Sequence, residues 1–270
     1  MDTKQYTDCD FYIKELEDEN QREYKVFFVN KNIQLTDEIL KEMTKYEIVE
    51  FCDLFDQPIG DLPPGLQSLT FGKNFNQTVD NLPSGLQNIT FGRHFNQSVN
   101  NLPIGLISLT FGYYFNQPVN NLPTGLQNLT FCINFNKPVD FLPAGLKKIR
   151  FSKHFDQTVD NLPTGLHSLA FGEDFNQPVN NLPKDLQYLR FGDNFNKSID
   201  NLPIGLQNLT LGYNFNESID FKRTRSFEHP LGDILSPTGN LPSGLKSLTI
   251  SKDYKNPIDK IPLSVEIIRY

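Results

Sequence analysis

Histidine, cysteine and paired carboxylates carry most protein chemistry, and in this 270-residue chain they are few and regularly placed. The histidines are His94, His154, His167 and His229, and the cysteines are Cys9, Cys52 and Cys132. His94 and His154 are 60 residues apart, Cys52 and Cys132 are 80 apart, and Asp80, Asp140, Asp160 and Asp200 also differ by multiples of 20. Residues spaced in this way occupy one recurring position of a repeat and form a row, whereas a metal or catalytic site needs them to converge. With stacked strands about 4.8 Å apart, His94 and His154 lie about 14 Å from each other and Cys52 and Cys132 about 19 Å, too far for a shared metal or a disulfide. No glycine-rich phosphate loop or nucleophile elbow is present. The expectation is a chain that is not an enzyme and holds no cofactor or metal.

Recognition chemistry is better represented. Lys147, Lys148, Arg150 and Lys153 place four positive charges within seven residues. At matching positions of nearby repeats stand Ile107, Tyr113, Ile133, His167, Tyr188 and Arg190. Tyrosine and arginine are enriched at interaction hot spots, so these ten residues are a candidate partner-binding surface, with drift on a solvated face as the alternative. Glu173, Asp174 and Asp193 follow, so the face changes sign along its length. The expected partner is a protein that offers an acidic segment.

The frame that must position these residues is a repeat. From Leu62 the motif Leu-Pro-x-Gly-Leu returns every 20 residues up to Leu202, resumes at Leu241 and ends in a degenerate copy at Ile261. In the unit Leu82–Asn101 the apolar positions are Leu82, Leu86, Ile89, Phe91, Phe95 and Val99. Neither a helix nor a long strand sustains that spacing. Only Ile89–Phe91 alternates, which predicts one very short strand per coil, centred near residues 50, 70, 90 and onward. A 20-residue period with this pattern around the strand indicates a repeat solenoid, leucine-rich-repeat-like, mostly β and turns. One coil cannot fold alone, because its apolar face is buried only by its neighbours. A four-sided pentapeptide helix shares the 20-residue coil but requires self-similarity every five residues, which Phe75 and Leu82 break.

Other rows carry structural expectations. Alternation turns the positions of Gln67, Ser68, Thr70, Gly72 and Lys73 outward. The Gly85 row, with Asp185 as its exception, suggests a left-handed turn residue. The Gly72 row admits only small replacements: Cys52, Cys132, Ser152 and Ser251. Asn76, Asn96, Asn116, Asn136, Asn176, Asn196 and Asn216, with Asp56 and Asp156, each follow a core Phe. They are expected to form a buried asparagine ladder that satisfies backbone groups.

Charge and composition exclude several classes. A net charge of −7 and a pI near 5.1 argue against a surface-wide nucleic-acid patch. The first 25 residues are charged and lack a signal-peptide core, and no apolar run approaches the ~20 residues of a membrane span. Three unpaired cysteines suit a reducing compartment. The seven Asn-x-Ser/Thr sequons fall at only two points of the repeat, as by-products of it. Cytoplasmic residence is the expectation.

Phe115-Asn116-Gln117-Pro118-Val119 and Phe175-Asn176-Gln177-Pro178-Val179, together with the Leu-Pro-x-Gly-Leu and Leu-Thr-Phe-Gly segments, resemble FNIP repeats. These are a leucine-rich-repeat-like class of social amoebae and of giant viruses that infect amoebae. The resemblance covers about residues 46–220 and 240–270. It implies interaction rather than catalysis, and location in the host cytoplasm if the chain is viral. Some members carry an F-box, and Leu35–Leu40 resembles the opening of one, which implies a ubiquitin-ligase adaptor as a second partner. The repeat register already runs from about Tyr46, however, so residues 1–45 are expected to be a small α/β cap. In it, Phe11–Glu15 and Tyr24–Val29 form a hairpin across Glu17–Gln21, and a helix starts at Thr36 and runs through Met43. Residues 221–239 are an insertion loop, either a surface excursion or a contact site through Lys222, Arg223 and Arg225. Residues 240–270 complete the array, with Val265, Ile268 and Tyr270 in the positions of Leu245, Leu248 and Ile250. The expected function is a protein-interaction scaffold; the alternatives are a ubiquitin-ligase receptor and a structural or packaging component.

Overall fold

The structure is a computed structural model and describes residues 9–219, 241–258 and 261–270. The insertion expected at 221–239 lies outside the described residues. The fold is a parallel-strand β-solenoid in which each coil of about twenty residues contributes one short strand. The chain divides into two compact units, Met1–Lys137 with Phe141–Leu146, and Pro138–Asp140 with Lys147–Tyr270.

The first unit opens with a hairpin of β1 (Phe11–Glu17) and β2 (Glu23–Val29), paired antiparallel with Phe11 opposite Val29. Its turn lies one residue later than expected, because the Asp18 carboxylate accepts from the backbone N–H groups of Asn20 and Arg22, both at 2.9 Å. Gln21 takes a left-handed conformation there, with φ of 60°. Those hydrogen bonds, the backbone N–H of Arg22 foremost, lower the Asp18 carboxyl below its ordinary range. Helix α1 (Asp37–Met43) follows, with the Thr36 hydroxyl accepting from the Ile39 N–H, acidic residues in its first turn, and Ile39 and Met43 buried. Strands β3 (Ile48–Phe51), β4 (Ser68–Thr70), β5 (Asn88–Thr90), β6 (Ser108–Thr110) and β7 (Asn128–Thr130) then pair in parallel and in chain order. β2 joins β3 in parallel, so the hairpin lays buried Val26, Phe27 and Val29 beside the first coil.

The second unit holds β8 (Lys148–Arg150), β9 (Ser168–Ala170), β10 (Tyr188–Arg190), β11 (Asn208–Thr210), β12 (Ser247–Ile250) and β13 (Glu266–Arg269), again parallel and in chain order. In both units the repeat strand is centred one residue earlier than expected, on the buried Leu or Ile of the Leu69 row. Phe91 turns inward onto Phe95, with ring centroids 3.7 Å apart, instead of extending the strand.

Phenylalanine fills the core in two columns. In the first unit Phe51, Phe71, Phe91, Phe111 and Phe131 stack at 5.4–5.8 Å, and Phe55, Phe75, Phe95, Phe115 and Phe135 at 6.1–6.2 Å. The second column recurs in the second unit from Phe155 to Phe215 and ends on Tyr254. The Tyr254 hydroxyl donates to the Glu217 carbonyl and accepts from the Ile219 N–H, so its one polar atom is paired.

The two glycine rows behave differently from each other. Gly85, Gly105 and Asp185 are not left-handed; among described glycines only Gly60 has positive φ. A Cβ at Gly105 would meet the Ser84 carbonyl at 2.9 Å, whereas at Gly65 it meets nothing within 4 Å. At Gly85, Gly105, Gly145 and Gly244 the constraint is therefore approach to the preceding coil and not φ. The glycines of the Gly72 row abut the preceding coil, a Cβ at Gly92 lying 1.8 Å from the Gly72 carbonyl oxygen, whereas Cys132 in the same row is exposed.

The last strand departs from its expected register. The turn holds, since the Val265 N–H donates to the Pro262 carbonyl as Leu245 does to Pro242, and Val265 is buried. Ile267, not Ile268, then pairs with Leu248, while Ile268 meets Thr249 and Arg269 meets Ile250. All four β13 residues are exposed, so no buried face selects the register there.

Replacing Phe115 by Ala should destabilise the array by about 3–5 kcal/mol, read from the shift in urea midpoint. Gly65→Ala, where the backbone is compatible and space is open, should stabilise by about 0.4–1 kcal/mol. Gly92→Ala should disrupt its coil and lower the thermal midpoint sharply.

Candidate protein-interaction surface

The turn after each strand is held by a ladder of side-chain amides. The Oδ1 of Asn76, Asn96, Asn116, Asn176 and Asn196 each accepts the backbone N–H of the equivalent Asn one coil on, at 2.8–3.0 Å. Asp56 and Asp156 accept from Asn76 and Asn176 in the same way, so the row requires only an oxygen. Asn32, in the segment before α1, begins the series by accepting from the Asp56 N–H at 2.9 Å. Sequence reasoning missed Asn32 because it lies outside the period.

None of the seven ladder asparagines is buried. Asn76, Asn96, Asn116 and Asn176 are half-buried, while Asn136, Asn196 and Asn216 are exposed. The difference follows the next residue, which is glutamine after each half-buried member. Gln77, Gln97 and Gln117 reach back to the carbonyl of the preceding ladder residue at 2.9–3.2 Å. Lys137, Lys197 and Glu217 stand beside the exposed members instead. A second amide row does the same for the carboxylates: Asn101, Asn161 and Asn181 donate to Asp80, Asp140 and Asp160 at 2.9–3.0 Å.

The Lys73 and Asn74 rows pair along the stack. In the first unit Lys73 is ion-paired to Asp53, and this holds the Asp53 carboxyl below the ordinary carboxylate range. The Arg93 guanidinium lies 4.8 Å from the Tyr113 ring centroid, and Tyr113 packs edge-on against Tyr114. Ile107 and Ile133 are half-buried. In the second unit Lys153 binds Glu173 at 2.9 Å and His154 binds Asp174 at 2.6 Å. Tyr213 donates its hydroxyl to Asp253 at 2.9 Å, which raises the phenol above its usual pKa. The sign change expected along the face is therefore largely a set of pairs.

The same unit sorts the remaining basic candidates. Lys147 and His167 both turn to the Gly165 carbonyl, at 3.4 and 2.7 Å, the His167 Nδ1–H being the donor. Lys148 and Arg150 on β8, and Tyr188 and Arg190 on β10, are exposed, and their side chains form no hydrogen bond or ion pair among the described residues. Among the described residues no three His, Cys, Asp or Glu side chains are grouped to hold a metal, and all three cysteines are free.

A family profile described as FNIP repeat matches residues 55–93, 95–132, 115–154 and 155–194. The chain belongs to the FNIP repeat family. The crystal structure of CroV588, described as a novel circular LRR protein structure, is similar to it at 36% identity with a TM-score of 0.76. That match covers 89% of this FNIP-repeat chain and 35% of CroV588, so the chain spans about a third of its neighbour's length. No curated protein matches.

Asn96→Ala should leave the Asn116 N–H without its acceptor, at a cost of about 1–3 kcal/mol. Asn96→Asp, which imitates Asp56, should retain most of it. Hydrogen exchange at the Asn116 amide separates the two: fast in the first variant, protected in the second.

Proposed function

We propose that this FNIP-repeat chain is a non-enzymatic scaffold that binds a protein partner through the outward rows of its parallel strands. The observation that supports this most is a local break in monotony. β4–β7, β11 and β12 present Ser or Asn first and Thr third, whereas β8 and β10 present Lys148, Arg150, Tyr188 and Arg190. A uniform polar face satisfies the fold by itself, so a concentrated departure in charge and aromatic content points to recognition. The cluster sits in a chain of net charge −7, and an acidic segment on the partner complements it.

The free cysteines favour a reducing compartment, and the FNIP-repeat family points to the cytoplasm of an amoebal host if the chain is viral. Among the described residues no helix is long and apolar enough to cross a membrane. The segment Leu35–Leu40 is best read as part of a cap, because it opens a single short helix, α1, whose Ile39 and Met43 are buried.

Affinity capture from amoebal lysate should recover a partner with the wild type and lose it with Lys148→Ser/Arg150→Thr/Tyr188→Asn/Arg190→Thr. Equal recovery by both would place recognition elsewhere on the chain. Recovery of no foreign protein by either would support a structural or packaging role instead.

A further inference from the structure

The third strand position is threonine in β4–β7, β11 and β12, but reads Arg150, Ala170, Arg190 across β8, β9 and β10. Register places Ala170 directly between the two arginines, and Ser168 directly between Lys148 and Tyr188. With parallel strands about 4.8 Å apart, Arg150 and Arg190 are separated by about 9.6 Å at the backbone, with only a methyl group between them. Where most coils place a threonine hydroxyl and methyl, this one leaves a recess. Ala170 and Ser168 form its half-buried floor, and the exposed side chains of Arg150, Arg190, Lys148 and Tyr188 form its rim.

No carboxylate stands on β8, β9 or β10 to neutralise the rim. Of the acidic residues just past β9 and β10, Glu173 is engaged by Lys153, Asp174 by His154 and Asn194, and Asp193 by the Tyr213 N–H, while Asp185 lies in the turn before β10.

We propose that this recess binds a phosphorylated side chain of the protein partner, a proposal that rests on the reading of the face given above. Three cations grouped around Ala170 and Ser168 match a phosphate of charge about −1.5 to −2 better than the single charge of a carboxylate. Two guanidiniums, one on each side of Ala170 in the register, can offer paired N–H donors to its oxygens. Tyr188 supplies an aromatic wall for the carbon side of the phosphoryl-bearing group.

The test is titration with phenyl phosphate, following the arginine Nε–H resonances of the wild type and of Ala170→Thr, Arg150→Thr and Arg190→Thr. Each variant restores the residue of other coils and is checked by its thermal midpoint. Phenyl phosphate should shift the Arg150 and Arg190 signals together, and each variant should weaken binding about tenfold or more. Ala170→Thr is the decisive one, because it keeps every charge and removes only the space. Titration of Ala170→Thr like the wild type, or benzoate binding as well as phenyl phosphate, would overturn the proposal. Tighter binding of polyuridylate than of phenyl phosphate through the same arginines would assign the recess to nucleic acid and overturn it too. If the captured partner depends on the face but survives phosphatase treatment, the phosphate is excluded while the interaction face stands. If capture ignores the face, the broader reading falls, and the titration still decides whether the recess takes phosphate.

Discussion

Each coil of this protein finds its bonding partners about twenty residues away. A three-residue strand satisfies little of the backbone around it, and the remaining polar groups must be paired. They are paired laterally: the Gln87 and Asn88 N–H groups to the Gln67 carbonyl, the His94 N–H to the Lys73 carbonyl, the Asn96 N–H to the Asn76 side chain. The apolar side chains obey the same rule, each Phe ring lying against its equivalent in the next coil. Nothing in a coil is stable without a neighbour in identical register, and this explains why the period does not slip between Leu62 and Leu202.

That constraint divides the residues into rows with very different freedom. Rows that touch the next coil's backbone are narrow. The Gly72 row is narrow because at its glycines an added Cβ would lie 1.8–1.9 Å from the preceding coil's carbonyl, so only small residues replace them, and the ladder row because only a short side chain with an oxygen reaches the next N–H. Outer rows vary, but neighbours vary together: Lys73 answers Asp53, Glu173 answers Lys153, and Tyr213 answers Asp253. Charge on such a surface is mostly internal trim. On β8 and β10 a row changes and no neighbour answers.

Much of the architecture was legible in the sequence because identical side chains recur at identical intervals. The solenoid, the parallel strands, the Thr36 cap of α1 and the hairpin of Phe11 with Val29 followed from pattern. The misreadings share one origin. The strand centre, the φ of the Gly85 row and the placement of the Gly72-row glycines depend on how closely two coils approach, and periodicity carries no distance. Asn32 was hidden because it serves the ladder from outside the repeat, and the reach of Gln97 because a surface glutamine looks solvated in any list of residues.

The basic cluster shows the same division. The sequence determined which residues break the repeat and in which coil, since a departure is visible against ten other copies. Tertiary structure decided which of those charges are available. Lys153 is claimed by Glu173, and Lys147 and His167 turn to the Gly165 carbonyl. Lys148, Arg150 and Arg190 are left to face outward around Ala170. A period specifies that two rows are adjacent; only the spacing of the stacked strands and the rotamers on them determine whether two side chains meet across it.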